Sequence, residues 1–592
     1  MCGIIGSSVL HSSDSFSYAM GFIESRGPDY KHFIAYDGMI LGHTRLAILD
    51  LDSRSNQPFV YEGKARMVGI VFNGEIYNYL DLKDRLTGLG YFFKTTSDTE
   101  VVCAAYLEWG NACFDYFLGM WAVGIVYEKK VVLARDRNGK KPLYYAHDST
   151  GNLSFSSSLR SVQSLSDSKE IDPSALELYF ALGFVPHTYS IYKGIWKVLP
   201  GEVIEFEKGN TSYYSLLRKN VSTLRNFVEP ASKGVRKQIQ QAVDARLISD
   251  VPIATLMSGG IDSTIVSYFV QKASPGAVSY FVDFDDDALS EKDMAFYLAK
   301  RNKLKQEVFL VDSESILKEF ESYYQVYEEP FADYSGIASI AVFREASKHH
   351  KVVLTGDGGD ELFYGYPHYF IKWILLKSYP VLRIFPSIAN YLISSWQRIF
   401  SGGIAGFESG YLSRHGVVTP FAKAFVDQAF NAQMTKQKSM IRGLIEYDRV
   451  FYNWPEKYLV KVDRSSMAFG VEVRSPFMDE HLKHAVAKIP AFLLFTPFAL
   501  KLFLKIVFYD LFGLRYLLAK KKGFTPPIQV LRDKHYKESD FDFTKSVLRN
   551  VNPDLYEAVK SIQFNDLLND KILFDRFFFF HSWLKFEKLA VK

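Results

Sequence analysis

An α+β domain of stacked β-sheets with helices, followed by a doubly wound α/β domain with a largely helical C-terminal part, is the architecture this chain predicts. Three observations carry that expectation. Up to about residue 205, short apolar runs of strand length stand between turn residues, with helical patterns among them. Around 205–230 the composition turns polar. Beyond it, strand and helix patterns alternate, the rhythm of a parallel sheet with crossover helices. A chain of 592 residues also exceeds one ordinary core, and the expected domains are 2–210 and 228–592.

In the first domain, strands are expected at Met39–Leu41, Met67–Phe72, Ala122–Tyr127 and Val131–Ala134, punctuated by Asn73-Gly74 and Asn138-Gly139. Helices are expected at Tyr79–Leu89 and Thr99–Trp109. In the second, a helix from about Glu229 to Ser249 precedes strand Val251–Met257, helix Ser263–Lys272, strand Val278–Asp283, helix Lys292–Asn302 and strand Glu307–Val311. Helix Ile337–His349 and strand Val352–Thr355 follow. The aromatic run Phe577–Phe580 reads as core or interface.

Composition excludes several classes. Hydrophobic residues are 48% and charged residues 23%, a globular balance. A net charge of +4 argues for neither a nucleic-acid partner nor an anionic membrane. The three cysteines, Cys2, Cys103 and Cys113, form no disulfide framework, so a reducing cytoplasm is the expected compartment. No signal peptide is expected. The apolar stretches Trp373–Leu376 and Phe495–Phe512 are broken by Lys377, Pro380, Arg383, Lys501 and Lys505, short of the roughly 18 uncharged apolar residues of a membrane span; they read as buried helices.

Candidate chemistry starts at Cys2. Once Met1 is removed, Cys2 carries a thiol and an α-amino group of pKa about 8, a nucleophile and a base in one residue. Arg45 offers a guanidinium suited to a substrate carboxylate. The Asn73 amide and Gly74 N–H, on a tight turn, suit an oxyanion hole. Asp98 suits a substrate ammonium group. The plainer readings are a surface ion pair, a hairpin turn and a helix N-cap at Ser97 or Asp98.

Taken together, Cys2-Gly3-Ile4, Arg26-Gly27-Pro28-Asp29, His43-Thr44-Arg45-Leu46, Asn73-Gly74-Glu75-Ile76-Tyr77-Asn78, Ser97-Asp98-Thr99-Glu100, Ala134-Arg135-Asp136-Arg137 and Lys141-Pro142-Leu143-Tyr144 resemble the class II, N-terminal-nucleophile glutamine amidotransferases. The resemblance implies that Cys2 attacks the glutamine amide, forming a glutamyl thioester and releasing ammonia. It implies that Arg45, Leu46, Ile48, Asn73, Gly74, Glu75 and Asp98 bind glutamine, with Asn73 and Gly74 stabilising the oxyanion.

In the second domain, Leu256-Met257-Ser258-Gly259-Gly260-Ile261-Asp262-Ser263 follows a strand and opens a helix. Its glycines let backbone N–H groups approach phosphate. It is not a Walker-type loop and resembles the pyrophosphate loop of ATP pyrophosphatases. Leu354-Thr355-Gly356-Asp357-Gly358-Gly359-Asp360-Glu361 gathers three acids on a glycine-rich loop, for which Mg²⁺ is the natural counter-charge.

Both loops, in this order, resemble glutamine-hydrolysing asparagine synthetases. The likeness extends through Tyr458–Ala468, Glu472–Asp479 and Lys520-Lys521-Lys522-Gly523-Phe524. It implies an N-terminal-nucleophile amidotransferase domain joined to an ATP pyrophosphatase-like domain, with glutamine, ATP and aspartate as substrates. ATP would be bound by Leu256, Ser258, Gly259, Gly260, Asp262, Ser263, Val282, Thr355, Gly356 and Lys461. Asp262 and Asp360 would hold Mg²⁺. Asp357 would act in forming or aminating an acyl-adenylate, and Lys521 in stabilising charge during adenylation; a homodimer is compatible with all of this.

The acceptor region departs from the family pattern. Asp333-Tyr334-Ser335-Gly336-Ile337-Ala338 stands for the usual Asp-Pro-Ser-Ala-Ile-Pro, Lys305-Gln306-Glu307 for His-His-Glu, and Ser290-Glu291 for Asp-Glu. A paralogue amidating another carboxylate, such as a uronic acid of a surface polysaccharide, is the alternative. A non-catalytic binding protein on the same scaffold is the alternative of another class, opposed by the intact Cys2, Asp262, Asp360 and Lys521.

Overall fold

The computed structural model describes the chain except residues 1, 10, 149, 167, 208–209, 217–230, 285–291, 386, 388, 390–395, 415–416, 438, 451–453, 495–499, 514–530, 532–535 and 591–592. The first domain carries β1 (Gly3–Ser7), β2 (Tyr30–Tyr36), β3 (Met39–Arg45), β4 (Phe59–Gly63), β5 (Arg66–Ile76), β6 (Gly119–Tyr127), β7 (Lys130–Arg135), β8 (Tyr144–His147), β9 (Leu153–Ser156), β10 (Ile195–Lys197), β11 (Glu202–Glu207) and β12 (Asn210–Ser215). They form two sheets, ordered β10-β8-β9-β1-β3-β2 and β12-β11-β7-β6-β5-β4. Ile4, Leu41, Val71, Ala122, Leu133, Phe155 and Ile204 fill the space between them.

Helices cover both outer faces. Phe16, Ala19 and Met20 of Ser13–Gly21 pack with Leu165 on one, and helices Tyr79–Gly88 and Asp98–Trp109 pack on the other. The second of these starts where it does because Ser97 caps it, its hydroxyl accepting from the Thr99 N–H at 3.2 Å, while Asp98 and Glu100 favour its positive end. The stacked-sheet expectation therefore holds. The turn expected at Asn73-Gly74 does not: β5 runs through both residues, paired with Ala122 and Trp121 of β6. Glycine at 74 answers to that pairing, since a Cβ there would lie 2.3 Å from the Met120 carbonyl oxygen.

The second domain carries β13 (Ile253–Leu256), β14 (Val278–Phe284), β15 (Lys305–Val311), β16 (Val352–Leu354) and β17 (Glu472–Arg474). All neighbours are parallel, in the order β15-β14-β13-β16-β17. The chain winds outward one way from β13 and then returns to the other side at β16, so the switch point lies between β13 and β16. Ligands of open α/β sheets bind at the carboxyl ends of strands beside such a point, where both glycine-rich loops emerge. The fifth strand, absent from the sequence expectations, is three buried residues contributed by the chain after a long helical excursion.

The two domains share buried surface of both kinds. Phe577, Phe578, Phe579 and Phe580, on helix Lys571–Ala590, are fully buried. Four consecutive helical residues point to every side, so that helix is covered all round. Phe180, in helix Pro173–Leu182 of the first domain, meets Phe577 with ring centroids 5.0 Å apart. The aromatic run is core, and it ties the chain's end to the first domain.

The polar contact is a buried ion network. Asp463 is paired with Arg26 at 3.0 Å and with Lys141 at 3.1 Å. Burial raises its carboxyl, but Arg26 and Lys141 outweigh burial and hold it well below the usual range. Arg464 pairs with Glu328 at 2.9 Å, and Glu328 also accepts from the Leu159 N–H at 2.7 Å. Lys197 reaches Glu329 at 2.6 Å and Glu456 at 3.4 Å.

Two stability predictions follow from these contacts. Phe579→Ala should destabilise the protein by about 3–5 kcal/mol, read as a shift of the denaturant midpoint. Asp463→Asn should cost about 3–5 kcal/mol, because it leaves Arg26 and Lys141 buried without a counter-charge. The Asp463 contribution should be complete above the unfolded pKa of 3.8 and vanish only as pH falls through its lower folded value, so the difference between wild type and Asp463→Asn should shrink in acid.

Candidate active site

Cys2 stands at the start of β1 and is buried. Its backbone nitrogen, which becomes the α-amino group once Met1 is removed, donates to Asn73 Oδ1 at 3.2 Å. Asn73 Nδ2 is in turn 3.4 Å from Ser157 Oγ. The Cys2 carbonyl accepts from Arg26 Nε at 3.2 Å, and the Gly3 N–H donates to Thr44 Oγ1 at 3.2 Å. One strand from each sheet thus grips Cys2 and Gly3. Burial pushes its thiol up, while the Leu46 backbone N–H and the Arg45 guanidinium pull it back.

The residues the sequence assigned to glutamine are all buried except Gly74, which is half-buried. Arg45 Nη1 donates to Asp52 O at 2.9 Å and Asn56 Oδ1 at 2.6 Å, and Nη2 donates to Asp50 O. Its fork braces the 49–56 loop. Leu46 and Ile48 are buried in a cluster shared with Val235, Ile239 and Val266 of the second domain, so their side chains join the domains while the Leu46 N–H faces the thiol. Asp98 Oδ2 accepts from the Ile76 N–H at 2.9 Å. Burial lifts Asp98 above the ordinary aspartate range, with Ile76 opposing and Glu472 adding. Glu75 is raised further by burial and by Asp98, against Arg474.

Arg474 is the counter-charge of this acidic group. Fully buried, it pairs with Glu472 and lies 3.5 Å from Glu75, and Nη1 donates to Arg246 O at 2.8 Å and Ile248 O at 2.6 Å. Burial alone would raise Glu472; Arg474 and Lys141 hold it at about 2. Sequence reading quoted Glu472 and Arg474 in a motif without a role, because nothing local shows that they face the other domain.

At the switch point of the second sheet a cavity of about 460 Å³ is lined by Leu256, Ser258, Gly259, Gly260, Asp262, Ser263, Val282, Thr355, Gly356, Asp357, Asp360 and Lys461. All ten residues expected to bind ATP line it. Helix Ile261–Ala273 begins at Gly260 with no side-chain cap, which leaves its first N–H groups facing the loop. Ser258 and Ser263 bond across the loop, N–H to Oγ at 3.1 Å. The loops are in direct contact: a Cβ on Gly359 would lie 2.6 Å from Asp262 Cγ. Larger residues there would drive the loops apart.

Lys501, a residue sequence reading took only as an interruption of an apolar helix, bridges these loops. Its ammonium pairs with Asp262 and sits 2.7 Å from Asp360 Oδ1. Asp262 and Asp360 therefore converge on one cation position. Two carboxylates converging on one position at the cavity wall suit a hard divalent cation such as Mg²⁺. Among the described residues no group of three or more His, Cys, Asp or Glu is arranged as a self-contained metal site.

Other lining residues also went unassigned. Glu361 is pushed up to about 8 by burial and Asp360 and accepts from Tyr366 OH at 2.7 Å; Tyr366 stacks on Tyr458 with centroids 5.8 Å apart. Lys461 Nζ lies 3.1 Å from Ser335 Oγ, and Ser335 donates to Asp333 Oδ1 at 2.6 Å. The atypical Asp333-Tyr334-Ser335 stretch therefore abuts the cavity. Lys305-Gln306-Glu307 opens edge strand β15, and none of the three lines the cavity. Lys521 and Ser290-Glu291 fall outside the described residues.

A polar chain runs from one centre toward the other. From Cys2 O it passes through Arg26 to Asp463 and Lys141. Beside it, Lys140 Nζ reaches Ser475 Oγ at 3.0 Å, Ser475 lies 3.4 Å from Thr355 Oγ1, and Thr355 donates to Asp357 Oδ2 at 2.6 Å. Burial and Lys141 lower Lys140 to about 8, against Asp357 and Asp463. A lysine of the first domain thus feels the acid of the switch-point cavity.

Comparison with known proteins agrees with this two-centre plan. A family model described as a glutamine amidotransferase domain matches residues 1–216, and one described as asparagine synthase matches residues 234–561. The chain is 27% identical over 589 residues to asparagine synthetase [glutamine-hydrolyzing] 1 of Bacillus subtilis, covering 94% of this chain and 91% of that one. It is 31% identical to a putative asparagine synthetase [glutamine-hydrolyzing] 2 of Methanocaldococcus jannaschii, covering 75% of this chain and 93% of that one. A fungal relative, amidase chyE of Penicillium rubens, is 30% identical over 81% of this chain and 79% of its own length. A glutamine amidotransferase fold joined to an ATP-dependent synthetase fold, with the motifs of both in place, makes this chain a ligase of the glutamine-hydrolysing asparagine synthetase family.

Proposed function

We propose that the chain forms an amide from a carboxylate acceptor, with glutamine as nitrogen donor and aspartate as the acceptor. The observation that carries the reading is the pair of polar chains lying side by side, one from Cys2 through Arg26 to Asp463 and Lys141, the other from Lys140 through Ser475 and Thr355 to Asp357 on the second glycine-rich loop. Cys2 Sγ attacks the glutamine carboxamide carbon after its proton passes to the α-amino group. The oxyanion is met by Asn73 and the Gly74 N–H, and ammonia leaves with that proton. Water then cleaves the thioester, giving glutamate. Arg45, Glu75 and Asp98 define the polar wall that orients the substrate's carboxylate and ammonium groups.

In the second domain the acceptor carboxylate attacks the α-phosphorus of ATP, giving an acyl-adenylate and pyrophosphate. The Ser258–Ser263 loop holds phosphate by backbone N–H groups, and Lys461, Lys501 and Lys521 supply positive charge. Asp262 and Asp360 would hold Mg²⁺, which would supply positive charge against the phosphates. Asp357, which accepts a hydrogen bond from Thr355, takes a proton from the incoming ammonia. Ammonia displaces AMP, and the amide forms. The enclosed interface limits loss of ammonia to protonation in bulk water.

A second acceptor is favoured by one observation. Lys461 is engaged by Ser335 beside Asp333, the stretch that departs from the family pattern. A carboxylate other than aspartate, such as a uronic acid, fits a wall so altered.

Cys2→Ala should lower glutamine-dependent synthesis at least about 10³-fold and leave ammonia-dependent synthesis near wild type. Asp262→Asn should do the reverse, removing AMP release while sparing glutaminase activity. Loss of both activities in either folded variant contradicts the two-centre scheme. AMP release screened with aspartate and then uronic acids decides the acceptor.

A pH dependence follows from Asp98. Its pKa is raised by burial above the ordinary 3.8, so the anion needed for an ammonium group persists only above that raised value. Glutamine kcat/KM should therefore fall on acidification well before pH 3.8 is reached. Asp98→Asn should lower kcat/KM and remove that acid limb.

A further inference from the structure

Helix Pro367–Leu382 leaves the nucleotide cavity at Tyr366 and packs its inner face on the second domain through Tyr369, Leu375 and Leu376. Lys372, on that inner side, is buried and paired with Glu408 at 2.7 Å. The outer face is also apolar. Ile371, Ile374, Val381 and Phe385 follow one helical stripe, and all are exposed, Val381 by 64% and Phe385 by 55%. Ile384 beside them is 65% exposed, and Ile404 is exposed on the neighbouring segment, which reaches the helix where Phe400 stacks on Tyr379. A helix apolar on every side is normally covered on every side, and a contiguous exposed patch of this kind marks a contact surface.

Charge identifies the contact. Residues 362–407 contain no Asp or Glu, and Lys377 and Arg383 stand exposed among the apolar side chains. In a two-fold contact between copies of this chain the patch would meet itself, setting lysine and arginine against their own kind with no acid in the stretch to pair them. Basic residues flanking an apolar helical stripe suit an anionic lipid surface instead: the side chains enter the acyl boundary and the cations stay at the headgroups. No helix among the described residues is long and apolar enough to cross a membrane, so the contact lies along the surface. The whole-chain charge of +4 averages this stretch away.

We propose that the outer face of helix Pro367–Leu382 and the turn through Phe385 binds the surface of an anionic lipid bilayer. Such a contact sets the wall of the nucleotide cavity that Tyr366 forms at the head of this helix beside the membrane.

Vesicle co-sedimentation of the full chain tests this, with phosphatidylcholine vesicles containing about one-third phosphatidylglycerol against phosphatidylcholine alone. The protein should pellet with the anionic vesicles and be released as salt shortens the screening length from about 10 Å at 0.1 M. The double variant Val381→Glu/Phe385→Glu should reduce the bound fraction about tenfold, and Lys377→Glu/Arg383→Glu should do the same. Tyr213→Glu, an exposed aromatic on the first domain, should change nothing. Retained glutaminase activity shows that each variant is folded. Failure of the wild type to pellet, or unchanged binding by both double variants, overturns the proposal. A wild-type dimer that Val381→Glu/Phe385→Glu dissociates, with no vesicle binding, assigns the face to a second copy and overturns it as well.

Discussion

The burial of Asp463 between Arg26 and Lys141 is the constraint on which the relation of the two centres depends. Two of these charges come from the first domain and one from the second, and all three are removed from water. A buried ion pair adds little net stability over an apolar substitute, yet losing one partner is expensive. The consequence is geometric: the domains meet in the register that pairs these groups, and any other register leaves charge buried alone. Arg26 also holds the Cys2 carbonyl, so the interface and Cys2 are placed by the same guanidinium.

Apolar packing works alongside that register. The Phe577–Phe580 helix and helix Pro173–Leu182 form one core across the boundary, and Leu46, Ile48, Tyr77 and Met120 enter the core of the second domain. Dispersion and the hydrophobic effect hold the domains together without choosing an angle, whereas the charges choose it. The surroundings of Cys2 are therefore completed by the other domain, with Glu472 and Arg474 setting the charge around Glu75 and Asp98.

The second sheet solves a similar placement problem by topology. The winding reverses between β13 and β16, so the loops after those strands lie side by side although about a hundred residues separate them. Glycines at 356 and 359 let Asp262 approach within contact of the second loop. That closeness gives Asp262 and Asp360 a common cation, which Lys501 supplies here.

The sequence by itself determined the fold class, the order of the domains, the strands from β13 to β16, the place of Cys2 ahead of the first strand and both glycine-rich loops. These are local matters: strand and helix period, turn chemistry and contiguous motifs. It misread Asn73-Gly74 as a turn, because an Asn-Gly pair is the usual turn signature and the close approach of β6 that requires the glycine is invisible locally. It passed over β17, three residues whose polar ends pair with each other and with Arg246, Ile248 and Glu75, all distant along the chain. Lys501 stood in the sequence as a lysine in an apolar run, and only the folded chain turns it onto two aspartates. Tertiary structure alone decided which charges face one another, because pairing in a low-dielectric interior depends on distance in space. No spacing along the chain encodes it.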